Sequence, residues 1–266
     1  MRRKAVHRLT LRLSCSLVPA IWLASGCGEH PPAARERLTS AYDQYQRKDY
    51  RASVGELDAF LREHGERPEA AEAYYLRSLC LARLSDKSKA TTDALQCIKY
   101  AADEHLRAKA HVNAGTLLME TGNSADAVPH YAAALRRLPE AAPTDVVRYQ
   151  YAVCLLREGR WNEGRKECGL VVQRYPRSGV AEAARKLRDW PESHFAIQCG
   201  AYRDEASARA HRDELARAGL RARLLPRIRS GEQVFAVVVG TYPRYEQAKA
   251  ALPSVKRKVP GATIVP

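Results

Sequence analysis

No two of the seven cysteines stand in CxxC spacing, which argues against thioredoxin-type redox chemistry and zinc ribbons. Past the leader and Cys27 the thiols are Cys80, Cys97, Cys154, Cys168 and Cys199, an odd set that reads as buried small hydrophobes rather than as a disulfide framework. The chain also lacks a run of about 20 apolar residues, so it has no segment that reads as a membrane-spanning helix. His111, His130, His194 and His211 show no metal-ligand spacing, and the acids Asp204, Glu205, Asp213 and Glu214 fall on one helix-like stretch rather than as an opposed pair. These patterns point away from an enzyme, and no cofactor or metal is expected. Positive charge is not spread evenly. The net +14 divides into +5 over 1–26, +3 over 27–190 and +6 over 191–266, so the middle of the chain is nearly balanced.

The first 26 residues carry five basic side chains, no acid, and an apolar stretch from Leu13 to about Ala24, the pattern of a secretory signal. The stretch ends LASGC, which resembles the lipobox of bacterial lipoproteins and implies lipid attachment at Cys27. A polar tether follows to residue 34. Several acyl chains on one cysteine would anchor firmly, since each buried methylene is worth about 0.8 kcal/mol. The expected address is the periplasmic face of an envelope membrane. Gly28, where an aspartate would signal inner-membrane retention, favours the outer one.

From 35 to 190 small residues recur every 37 positions, at Ser53, Ala90, Ala127 and Gly164. The same step joins Gln44, Leu81, Leu118 and Leu155; Leu57, Ala94, Tyr131 and Cys168; and, at a turn, Ser85, Gly122 and Gly159. Pro139 and Pro176 mark helix ends. The pattern predicts paired amphipathic helices that approach closely where side chains are short. It resembles the tetratricopeptide (TPR) family, whose repeat is about 34 residues, with the extra residues placed in loops such as ERPEA and EAAPT. The resemblance implies an all-α solenoid whose groove takes a protein partner. Tyr42, Tyr45, Tyr74, Tyr75, Tyr149 and Tyr151 are groove candidates, though helical spacing favours packing. Residues 179–190 read as a capping helix.

After the linker 191–194 the periodicity alternates, and the tail is written twice. Residues 195–210 lie over 235–250 at an offset of 40, FAIQCGAY over FAVVVGTY, and each half reads strand, helix, strand. Two such halves predict a small α+β domain, a split βαβ of RNP or ferredoxin-like form with a four-stranded antiparallel sheet and both helices on one face. Alternation puts Phe195, Ile197, Cys199, Leu220, Ala222, Leu224, Phe235, Val237 and Val239 under the helices. It leaves Gln198, Arg221, Arg223, Ala236 and Val238 on an uncovered face, with Arg227 and Arg229 in a turn beyond. Asp204 is the expected N-cap, Gly219 the stop, and Pro253 a kink or early end for the second helix.

Phe195, Gln198, Gly200, Tyr202, Ala208, Leu215, Gly219, Val237, Val239, Gly240 and Ala248 together resemble the SPOR domain, over 195–266. That resemblance implies binding of peptidoglycan glycan strands stripped of their stem peptides, on the open sheet face, with a glutamine in the first strand. Ala201 and Ala236 stand where the family commonly has serine and a polar or basic residue. The chemistry is coherent, since an amide meets hydroxyls and N-acetyl groups with donor and acceptor, and arginine pairs with the lactyl carboxylates exposed when peptides are removed. The expectation is a non-catalytic envelope lipoprotein that grips glycan through its tail and recruits a protein through its repeats, with division sites as one setting. The alternatives are an outer-membrane assembly scaffold in which the repeats carry the function, and an RNA-recognition-like binder. The latter fits poorly with an export signal and with Phe195 and Phe235 at core parity.

Overall fold

A computed structural model describes residues 32–66, 68–229 and 232–266. Cys27, the leader and the start of the tether lie outside the described residues. The chain begins as four helix pairs: α1 (Pro32–Gln46) with α2 (Tyr50–His64), α3 (Ala70–Arg83) with α4 (Lys87–Tyr100), α5 (Glu104–Glu120) with α6 (Ser124–Leu135), and α7 (Thr144–Arg157) with α8 (Trp161–Arg174). The capping helix α9 (Ala181–Arg188) follows. α1 starts three residues before the expected boundary, with Pro32 at its first position, where the missing N–H has no intrahelical role.

The 37-residue period is a structural one. Ser53, Ala90, Ala127 and Gly164 are buried where the second helix of each pair crosses the first. A Cβ on Gly164 would sit 2.6 Å from the Leu156 side chain, so the helices there are as close as a glycine permits. Where the small residue is serine, its hydroxyl donates across the contact: Ser53 Oγ to the Ala41 carbonyl at 2.8 Å and Ser78 Oγ to the Ala90 carbonyl at 2.6 Å. The turn inside each pair is also repeated. Lys48, Ser85, Gly122 and Gly159 all have positive φ, between 64° and 89°. Each lets the following amide reach back to the helix, as Asp86 N–H does to the Leu81 carbonyl at 2.9 Å and Asn123 N–H to Leu118 at 2.8 Å. That following residue then caps the next helix in the first three repeats, with Asp49, Asp86 and Asn123 accepting from Ala52, Lys89 and Asp126 amides. Lys48 extends the turn series to the first repeat, which the sequence pattern alone had not placed.

The tyrosines serve mainly as packing. Tyr45 is buried, and Tyr74 stacks on Tyr100 with centroids 6.0 Å apart while its hydroxyl donates to the Gly65 carbonyl at 3.1 Å. All five described cysteines are free thiols, four of them buried. One interior ion pair was not legible in the sequence: Arg77 on α3 makes two 2.7 Å bonds to buried Asp93 on α4 and one to Asp58 on α2, tying three helices together.

The tail comprises β1 (Phe195–Tyr202), α10 (Glu205–Arg217), β2 (Ala222–Arg229), β3 (Glu232–Tyr242), α11 (Tyr245–Lys256) and β4 (Thr263–Val265). The sheet is antiparallel in the order β2-β3-β1-β4, the expected split βαβ. Asp204 caps α10 by accepting from the Ser207 amide at 2.8 Å, and Gly219 ends it at φ 77°. Two expectations need correction. Pro253 does not end α11, which continues to Lys256 with Arg257 N–H bonding the Pro253 carbonyl. Arg227 and Arg229 are strand residues of β2, opposite Val234 and Glu232, because the strand runs on to Arg229 before the chain turns. Phe195 keeps its place in the helix-facing set, clustered with Ala248 and edge-on to Tyr245 of α11. Its ring also packs on Trp161 of α8, 4.9 Å away.

Two measurements probe this framework. Asp93→Leu leaves the Arg77 guanidinium half-buried with only Asp58, and a loss of about 3 kcal/mol is expected in urea denaturation, as for other broken interior pairs. His111 and His130 face each other with Nδ1 atoms 3.0 Å apart. Burial, the neighbouring His130 and the arginines 107, 136 and 137 hold the His111 imidazole down at about 4, and burial lowers His130 too. Both are neutral in the fold, whereas in the unfolded chain they charge near about 6.5. Stability is therefore complete above that pH and falls as pH drops towards 4, and His111→Gln should flatten part of that slope.

Candidate functional site

A sheet with helices on one face has a second face, and here the register defines it. Gln198 stands opposite Val238 and Thr263, Arg223 opposite Val238, Leu225 opposite Ala236, and Arg227 opposite Val234. Directly opposed residues share a face, so Gln198, Arg223, Leu225, Arg227, Val234, Ala236, Val238 and Thr263 all lie away from α10 and α11. A bulge between Gln198 and Gly200 then shifts the parity of β1. Ala201 joins this face opposite Ala236, while Tyr202 turns under the helices, its hydroxyl 3.0 Å from His211 Nδ1. Arg221 precedes β2 and is exposed.

The expectation that this face is bare holds for only half of it. On the β1–β4 side Gln198 is half-buried and Ala201 and Thr263 are exposed. On the β2–β3 side Ala236 is 1% exposed and Val238 fully buried, which corrects their assignment to an open surface. The cover is the segment read as a plain linker. Trp190, 5% exposed, packs into one apolar cluster with Ala196, Leu225, Ala236 and Val238, joined by Leu156 and Trp161 of the solenoid. The reason is the apolar character of the face. Left in water, Leu225, Ala236 and Val238 would each forfeit about 25 cal/mol per Å² of apolar surface. A tryptophan in an otherwise polar hexapeptide, DWPESH, was the available signal, since that side chain is seldom left in solvent.

Polar contacts complete the cover. Glu192 accepts two bonds from Arg223, at 2.6 and 2.7 Å, and His194 Nε2 lies 2.8 Å from Arg223 and 2.9 Å from Glu192. Burial would raise the Glu192 carboxyl, but the bonds and charge of Arg223, with His194, hold it below the usual range. The Arg227 guanidinium lies over the Trp190 ring at 4.1 Å and reaches the Gln198 carbonyl oxygen at 3.5 Å. From the solenoid, Arg165 of α8 donates to the Trp190 carbonyl at 2.9 Å, to the Glu192 carbonyl, and to Ser193 Oγ at 3.1 Å. The Trp190 indole N–H finds no acceptor among the described residues, a burial that costs about 1–3 kcal/mol. Trp190, Glu192, His194, Arg165 and Leu225 are thus site residues that the sequence reading missed.

Beside this cover the tail domain is seated directly on the last repeat. Trp161 Nε1 donates to the Pro243 carbonyl at 3.2 Å, and Arg157 lies over the Tyr245 ring at 4.6 Å. The positive-φ turn at Gly159 comes so near that a Cβ there would meet the Pro243 oxygen at 3.0 Å. Among the described residues no group of three or more metal-ligating side chains occurs.

A tetratricopeptide repeat-like domain model matches residues 21–152, and a SPOR domain model matches 191–266. The comparison with curated proteins yields no match. Among solved structures, a tetratricopeptide repeat protein from Parabacteroides merdae superposes with TM-score 0.52 at 14% identity, covering 60% of this chain and 60% of that one. The MamA RS-1 ArsTM double mutant gives 0.52 at 16% identity, covering 72% and 98%, and MamA 41-end from Desulfovibrio magneticus RS-1 gives 0.50 at 15%, covering 71% and 98%. At these identities the likeness is one of fold alone, and the match spans less than two thirds of the Parabacteroides protein. The chain is built from a tetratricopeptide repeat-like solenoid and a C-terminal SPOR domain.

Proposed function

We propose that this is a non-catalytic cell-envelope protein, tethered by lipid at Cys27, that grips peptidoglycan glycan strands on the helix-free face of its SPOR domain and recruits a protein through its repeats. The observation that carries the reading is a polar row on that face: the Gln198 amide on β1, with Arg227 and Arg223 on β2 and Arg221 just ahead of it. An amide whose oxygen lies towards Arg227 still has two N–H donors for hydroxyl or N-acetyl oxygens. Arginines in the same row suit the carboxylates that peptide removal exposes. Both matched domains are binding domains, and neither is an enzyme family. No helix among the described residues is long and apolar enough to cross a membrane.

A nucleic-acid reading has less support, because base stacking on such a sheet needs aromatics on its open face. Phe235 packs beneath the helices and Phe195 against Trp161 and Tyr245. One observation favours the scaffold alternative: the tail domain closes the end of the solenoid through Trp161, Phe195 and Trp190, as a cap would.

The test is co-sedimentation of chain 32–266 with sacculi, before and after an amidase removes stem peptides. Pelleting is expected to rise after amidase and to fall at least about threefold for Gln198→Ala and for Arg221→Glu. Equal pelleting of all proteins on both kinds of sacculi would remove the support for glycan binding.

A further inference from the structure

We propose that residues 190–194 are a built-in competitor for the SPOR face, a strap whose Glu192 carboxylate and Trp190 ring occupy the β2–β3 half of the site until an outside ligand displaces them. The inference rests on the glycan reading for the identity of that ligand, but its evidence is separate. Arg223 is engaged bidentately by Glu192, the geometry arginine offers to any carboxylate ligand. Beside it, Arg227 stacks on a flat apolar ring that lies against Leu225, Ala236 and Val238. A carboxylate next to a ring face is also what a sugar bearing a lactyl group presents. The strap therefore fills the half-site with the same pair of chemical features.

One observation indicates that the closed strap carries a cost that its release would relieve. The Trp190 indole N–H is buried without an acceptor, so the closed state retains an uncompensated donor that release would hydrate. The strap is held by Arg165 on α8, which binds the Trp190 and Glu192 carbonyls and Ser193 Oγ, and by the Trp190 backbone N–H on the Leu187 carbonyl at 3.4 Å. The other half of the face, with Gln198, Ala201 and Thr263, is not covered. A ligand can land there first and advance across β3 as the strap gives way. Masking of this kind lowers apparent affinity by the fraction of molecules that are open. It also links the repeats to the tail, because a partner that moves α8 moves Arg165.

The test uses chain 32–266 throughout, with amidase-treated sacculi as the probe. Glu192→Gln removes the charge that holds Arg223, and Arg165→Gln releases the strap from the solenoid without touching the sheet. Each is expected to tighten binding about tenfold, the gain for a site that is about one-tenth open. Adding Gln198→Ala to either should reverse the gain. A ligand-free readout accompanies it: in a Trp161→Phe background, Trp190 is the sole tryptophan, and acrylamide should quench its fluorescence more strongly in both strap variants. If quenching rises and binding is unchanged although still dependent on Gln198, the strap moves without competing and the inference fails while the glycan reading stands. If quenching rises and neither wild type nor variants pellet, the glycan reading fails and the strap loses its assigned ligand. Unchanged quenching together with unchanged binding overturns the strap itself.

Discussion

An apolar sheet has two faces to cover, and only one can go to its own helices. In this protein α10 and α11 seal Ile197, Val237 and Val239, while Leu225, Ala236 and Val238 on the reverse remain to be kept from water. The chain meets that need with Trp190, and the choice fixes much else. Because the cover comes from the segment joining the domains, the tail sits on the last repeat. Trp161 then reaches Pro243 and Phe195, and the turn at Gly159 must stay a glycine to admit the Pro243 carbonyl. Six residues separate the end of α9 from β1, an extended reach of about 20 Å. With the strap docked those residues are spent in covering the sheet, and with the strap free they become a leash.

How much of this could be read from residues alone follows from the range of each interaction. Elements fixed by local chemistry were legible. The 37-residue spacing marks contacts between neighbouring helices, and glycines at 122 and 159 mark turns that the backbone demands. Face assignments in β2 and β3 followed from alternation, because both strands run without interruption there. In β1 they held from Phe195 to Cys199 and broke at the bulge after Gln198, beyond which Ala201 and Tyr202 change faces. A bulge leaves no compositional mark beyond a nearby glycine. The ties of Arg77 to Asp93 and of Arg223 to Glu192 join residues 16 and 31 apart, and nothing in a charged side chain names its partner at that range. The cover on the sheet was missed for a further reason: proline and charge made DWPESH look like a spacer, and its tryptophan was given no contact.

The electrostatics of the tail change once these pairs are drawn. Residues 191–266 carry a formal surplus of six positive charges. On the sheet face, however, Arg223 and Arg227 are specifically engaged, while Arg221 is exposed. Arg223 is neutralised by Glu192, and Arg227 lies over an indole and against an amide. Exchange of one carboxylate for another at Arg223 changes little in net charge. On the proposed reading, selectivity on this half of the face would come from shape and from the groups beside the carboxylate, rather than from attraction to any polyanion. A nucleic acid, drawn by long-range charge, gains little from such a surface.

The duplication inside the tail explains why one strand carries an amide where its copy carries valine. The two halves bring Gln198 and Val238 into direct cross-strand register at the centre of the sheet. Had both been apolar, the whole face would need covering, and a six-residue connector could not reach beyond β3. Had both been polar, Trp190 would find no apolar floor and the domains would have less to hold them together. One of each divides the face along the β1–β3 seam. The valine half supports the indole, and the amide half stays open to solvent with Thr263 and Ala201. Gln198 thus stands at the border between a surface the chain covers itself and one it leaves to solvent.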